Sequence, residues 1–143
     1  MTSPPAANAN LVGFDGRGAA VKASFPVGEV AEAFRRQFNK DWAKRSRKLS
    51  LQAQVTVEGN FVRIDEGSRF LRWLLTWIAG HAVVEIEGRF SVNGQPVDSF
   101  HFTQKYGFGL AGGNSKSMVL CGAEALASRV VDTVVGRLRK HGQ

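Results

Sequence analysis

Apolar residues recur along this chain with two periods. From His81 to Val92 they alternate: Val84, Ile86, Phe90 and Val92 share one side, and Glu85, Glu87 and Arg89 share the other. Such alternation marks a strand with one buried face. Asn93-Gly94-Gln95 follows, and then a second alternating run in which Phe100 and Phe102 share a side. The two runs predict a β-hairpin, and its register can be argued. A two-residue Asn93-Gly94 loop would place Phe100 and Phe102 on the face of Glu85 and Glu87. A three-residue loop, Asn93-Gly94-Gln95, sets Phe102 across from Ile86 and Phe100 across from Gly88. Only the second keeps one apolar face, so it is the expected pairing.

The other period is helical. After Pro26, residues Val27, Val30, Ala31, Phe34, Phe38 and Trp42 recur at three- and four-residue spacing and form one stripe. Glu29 and Glu32 lie early in this segment and Lys40, Lys44, Arg45, Arg47 and Lys48 late in it, the order that the helix dipole favours. A second stripe, Leu120, Ala123, Ala127, Val130, Val131, Val134 and Leu138, predicts a helix from about Lys116 to Lys140. Its apolar surroundings predict a buried thiol for Cys121.

Two further strands are expected. Ala19 to Phe25 alternates, with Val21, Ala23 and Phe25 on one face. Leu49 to Ile64 alternates with Leu51, Ala53, Val55 and Val57 on one side, but Val62 and Ile64 are out of phase. A bulge at Gly59-Asn60 accounts for that slip better than a hairpin turn, which would leave a very short strand behind it. Asp65 to Gly80 fits either one or two helical turns or a long loop with a helical middle. Residues 1–18 are rich in Pro, Ala, Asn and Gly without periodicity and read as a flexible arm.

The order β-α-β, an ambiguous tract, then β-β-α predicts an α+β fold in one domain over residues 19–143. Its sheet is mixed and mostly antiparallel, of about four strands. The strand-helix-strand unit at the start favours a parallel first pair. Each helix has a single apolar stripe, so both should pack on one face of the sheet.

Composition narrows the function only slightly. The 143 residues carry a net charge of +7 and suit one domain that needs no metal or disulfide staple. The charge favours anionic partners. One cysteine, Cys121, cannot form an internal bridge and is silent about compartment. Met1 to Asn10 has neither the basic nor the apolar part of a signal peptide, and Phe70 to Ala79 is about half a membrane span and contains Arg72. No transmembrane segment is expected.

Candidate chemistry is sparse. Gly107-Phe108-Gly109-Leu110-Ala111-Gly112 matches G-x-G-x-x-G, but the strand before it belongs to a hairpin and no parallel strand follows, so a flexible loop is the better reading. Gly112-Gly113-Asn114-Ser115-Lys116-Ser117 lacks the glycine that a phosphate loop needs before its lysine. His81, His101 and His141 lie far apart without metal-ligand spacing. Glu85 and Glu87 share a strand face beside Arg89, which suits solvated acids better than an acid-base pair. The expectation is a non-enzymatic domain with no catalytic residue, no metal and no cofactor. Two partner surfaces remain. Arg69, Arg72, Trp73 and Trp77 combine the residue types of interface hot spots and suit a protein partner or self-association. Arg36, Lys40 and Lys44, spaced by four, with Arg47 and Lys48 beyond, form a basic line suited to nucleic acid or an acidic lipid surface.

Asp65-Glu66-Gly67-Ser68-Arg69-Phe70-Leu71-Arg72, then Ala79 to Gly88, the hairpin through Asp98 and the glycine loop before an alanine-rich helix together resemble a bacterial family, the domain-of-unknown-function family 4410. The likeness runs from about Ala20 to Leu138. It implies a small envelope protein, often a lipoprotein, without established activity and without catalytic residues to carry over. The family's lipoprotein leader and N-terminal cysteine are not in this sequence, and Leu74 to Ile78 is bulkier than the glycine-rich segment expected there. The expected location is the periplasmic side of the cell envelope if a leader has been removed, and the cytoplasm otherwise.

Overall fold

The computed structural model describes residues 7–22, 26–47, 53–65, 82–106 and 115–141. Strands β1 (Ala7–Gly13) and β2 (Ala20–Lys22) come first, then helix α1 (Val27–Ser46). Strands β3 (Ala53–Asp65), β4 (Ala82–Val92) and β5 (Gln95–Tyr106) follow, and helix α2 (Ser115–His141) ends the series. The sheet order is β1-β3-β4-β5, with β2 also paired to β3. Both β1 and β2 run parallel to β3, whereas β3-β4 and β4-β5 are antiparallel. Because β4 takes the other side of β3, β1 and β2 form one interrupted edge. Over the described residues the fold is therefore α+β, with a mixed sheet and two helices, as the pattern predicts.

Residues 7–18 depart from the expected flexible arm. Ala9 and Leu11 point to the inner face and pack on the core, while Asn10 points outward. That alternation is short and built from small residues, and neighbouring Pro and Gly mask it. After Gly13 the edge breaks: Gly13, Phe14, Gly16 and Gly18 all have positive φ, at 84°, 58°, 87° and 79°. The reversal drives Phe14 inward until it is fully buried. Its ring stacks on Phe34 at 4.5 Å, lies parallel to Phe100 at 6.5 Å and meets Phe61 edge-on at 6.2 Å. Such pairs contribute about 0.5–1.5 kcal/mol each beyond the burial of their area.

The sheet makes room for these rings with a row of glycines. Gly13 opposes Gly59, Gly59 opposes Gly88, and Gly88 opposes Phe100. A Cβ on Gly59 would lie 2.7 Å from the Phe14 ring and 2.3 Å from the Glu87 carbonyl oxygen. A Cβ on Gly88 would lie 2.7 Å from the Phe100 ring. The aromatic layer thus rests on bare backbone.

The phase slip in β3 is a bulge, but it falls between Phe61 and Arg63, just after the expected Gly59-Asn60. Gly59 and Asn60 stay in register, and Val62 is the extra residue that turns Ile64 inward. In the hairpin, Ile86 faces Phe102 and Gly88 faces Phe100, as expected. The loop itself differs. Val92 pairs with Gln95, so only Asn93 and Gly94 (φ 52° and 83°) turn the chain, and a second bulge between Phe90 and Ser91 resets the register. Positive φ at both central residues is the tight hairpin turn that Asn-Gly prefers. Asn93 also ties the tip to β3: its amide donates to the Gln54 carbonyl at 2.7 Å, and its Oδ1 accepts from the Gln54 amide at 2.9 Å.

One core joins the helices to the inner sheet face. Val30, Phe34, Phe38 and Trp42 of α1 meet Val119, Leu126, Val130, Val134 and Leu138 of α2 over Val55, Val57, Phe61, Ile86 and Phe90. The helices are cross-linked by Ser128, which donates to Asp41, and by the Arg45-Asp132 ion pair. Arg137 bonds Asp98 at 3.2 Å and Arg129 lies 4.2 Å above the Phe102 ring, which fastens α2 to β5. Cys121 is exposed rather than buried. Val119, Gly122, Ala123 and Leu126 take the inward positions around it, which leaves position 121 on the outer side.

Candidate functional site

With both helices on one side, every second residue of the strands faces away from them. On β3 these are Gln54, Thr56, Glu58 and Asn60; on β4, Glu85, Glu87, Arg89 and Ser91; on β5, Ser99, His101, Thr103 and Lys105. None of these twelve is buried. An open depression of about 570 Å³ crosses this face where Gly59 and Gly88 lie side by side. Glu58, Asn60, Glu87, Arg89, Ser99 and His101 surround it.

Several of the charged groups there pair across strands. Glu58 and Arg89 are direct register partners, and the Arg89 Nε donates to Glu58 Oε1 at 2.7 Å. His101 bonds Glu85 diagonally across the hairpin. Asn60 donates to the Arg17 carbonyl, which anchors the turn after β1. Exposed pairs of this kind contribute under about 1 kcal/mol each, so they orient the surface more than they stabilise the fold. Glu85 is engaged by His101 rather than paired with Glu87 as an acid-base couple. His101 sits on the face opposite Phe100 and Phe102, as the register predicts. Glu58 and Ser99 were not singled out from sequence, since only the pairing of three strands brings them beside Arg89 and His101.

The basic line on α1 is on the surface. Arg36, Lys40, Lys44 and Arg47 are exposed, and Arg36 has a loose contact with Glu32 at 3.8 Å. Arg35, on the flank nearer β1, reaches the Gly13 carbonyl at 3.4 Å. Lys48, the cluster Arg69, Arg72, Trp73 and Trp77, His81 and the glycine loop 107–112 lie outside the described residues. Among the described residues, no group of three or more His, Cys, Asp and Glu side chains is arranged to hold a metal ion, and no helix is long and apolar enough to cross a membrane.

Solved structures share the fold. A Xanthomonas campestris protein of the DUF330 family superposes with a TM-score of 0.53 at 12% identity, covering 94% of this chain and 87% of its own. A minor lipoprotein from Acinetobacter baumannii (TM-score 0.48, 9% identity, 89% and 93% covered) and PelC from Paraburkholderia phytofirmans, a dodecamer (0.47, 12%, 92% and 91%), are more distant in shape and add nothing to the fold assignment. No curated protein matches the sequence. The sequence itself is decisive at the level of family, because residues 20–112 match the model of a domain of unknown function, DUF4410, over more than half of the chain. The chain belongs to the DUF4410 family.

Proposed function

We propose that this chain is a non-enzymatic binding or assembly domain of the cell envelope that acts through protein-protein contacts. The observation that carries the reading is the sheet face opposite the helices. It is wide and open and carries polar side chains, and two of its three acids, Glu58 and Glu85, are taken up by cross-strand partners. Such a face suits the wet, polar part of an interface. The hot spot in this reading is the cluster Arg69, Arg72, Trp73 and Trp77, whose residue types dominate interface energies. The envelope placement follows from the resemblance to the family's small envelope proteins.

The test is the double variant Trp73→Ala/Trp77→Ala. It should weaken self-association in sedimentation velocity, or cross-linking to a partner in intact cells, by a factor of about 30 or more per hot-spot tryptophan. The far-UV circular dichroism and melting temperature should hold. Loss of fold without a specific loss of association would count against the reading.

A second reading rests on the exposure of Arg36, Lys40, Lys44 and Arg47 along one line of α1. Here the chain is a cytoplasmic basic domain that binds nucleic acid or an anionic surface through these residues and Lys48. Binding that falls steeply with salt supports it, and salt-insensitive or absent binding removes it.

A further inference from the structure

The two helices bring together bases that are remote in sequence. Asp41 pairs with Ser128 and Arg45 with Asp132, and both pairs span the same 87 positions, so α1 and α2 run side by side in the same direction. Their C-terminal ends therefore lie at the same end of the molecule. There α1 presents Lys44 and Arg47, with Lys40 one turn before Lys44, and α2 presents Arg139 and Lys140; all five are exposed. The acids near them are already engaged: Asp41 with Ser128 and Gln37, Asp132 with Arg45, and Asp98 with Arg137. Among the described residues, none of the five bases has an ion-pair partner.

The helix dipole explains why bases sit in each last turn. It does not explain why two such ends are placed together, since like charges brought close repel unless a counter-charge is supplied. We propose that Lys40, Lys44, Arg47, Arg139 and Lys140 form one basic surface that docks on an anionic lipid headgroup layer. This deepens the second reading above and rests on its α1 line. A lipid surface fits better than single-stranded nucleic acid because no described aromatic side chain is interleaved with these bases to stack on nucleotides. It also fits better than a buried ligand, because the bases are exposed and spread over two helices. A polybasic patch binds such a layer with roughly a five-fold gain per Lys or Arg, and salt attenuates it.

The experiment is co-sedimentation of the full chain with vesicles of phosphatidylcholine, with and without phosphatidylglycerol, at low and physiological salt. The protein should bind only the anionic vesicles. Lys44→Gln/Arg47→Gln and Arg139→Gln/Lys140→Gln should each lower the partition coefficient roughly 25-fold, with unchanged circular dichroism. If a double variant fails to fold, the single substitutions Lys44→Gln and Arg139→Gln should each give about a five-fold loss. If only the α1 variant matters, the joint surface is overturned while the α1 reading survives. If duplex or single-stranded DNA is bound in preference to anionic vesicles, the lipid assignment is overturned. If neither anion is bound, both readings fall together.

Discussion

Phe14 shows how much a single residue can hold. It lies in a stretch that has no periodicity, yet its ring joins α1, β3 and β5 through Phe34, Phe61 and Phe100. Phe14→Ala should cost about 3–5 kcal/mol in urea unfolding, in the range of buried aromatic deletions. Gly88 is the complementary position. An added methyl would meet both the Phe100 ring and the Glu58 carbonyl oxygen, the latter at 2.5 Å, and the backbone contact cannot relax by a rotamer change. Gly88→Ala should therefore lower the melting temperature more than Gly136→Ala, whose Cβ would meet nothing within 4 Å. Equal effects would mean that the glycine row is not needed for close approach. At the surface, a double-mutant cycle on Glu58 and Arg89 should return a coupling under about 1 kcal/mol, because Arg89 is largely exposed and Glu58 about half exposed.

Among the elements, the β4-β5 hairpin was the most legible from sequence, and the reason is physical. A half-buried strand has a strict period of two, so a one-residue slip would exchange Ile86 and Phe102 with polar neighbours. That constraint fixed the pairing through the body of the hairpin. It could not fix the tip, because a two-residue turn followed by a bulge delivers the same register as a three-residue loop. The actual turn is held by Asn93, which adopts φ 52° and bonds Gln54. Asn93→Ala should destabilise the protein by about 1–2 kcal/mol in chemical unfolding, from the lost side-chain bond and the poorer fit of alanine to positive φ. Asn93→Gly should cost less, because glycine tolerates the conformation and only the bond is lost. Strand β1 was not legible for the opposite reason. Its inward residues are Ala9 and Leu11, and its stability comes from the parallel ladder with β3, a partner more than forty positions away.

At the scale of the whole molecule, layers decide what is available for function. Both helices cover one sheet face, so the charged alternate positions of β3, β4 and β5 form a continuous open surface. The parallel course of α1 and α2 then places two basic helix ends together. Neither arrangement is a property of any one segment. The same holds for Cys121, which lies in an apolar stretch but turns outward because the residues around it are the ones that α1 and the sheet require.

The order and type of the six described elements from β2 onward, the apolar stripes of both helices and the pairing of Ile86 with Phe102 were all settled by local periodicity. That is because burial on one face imposes a repeat which the chain must carry in its own residues. The edge strand β1, the inward turn at Phe14, the row formed by Gly13, Gly59 and Gly88, and the parallel course of α1 and α2 were decided only by tertiary structure. Each depends on which distant segment lies alongside, and a contact between segments leaves no period in either of them.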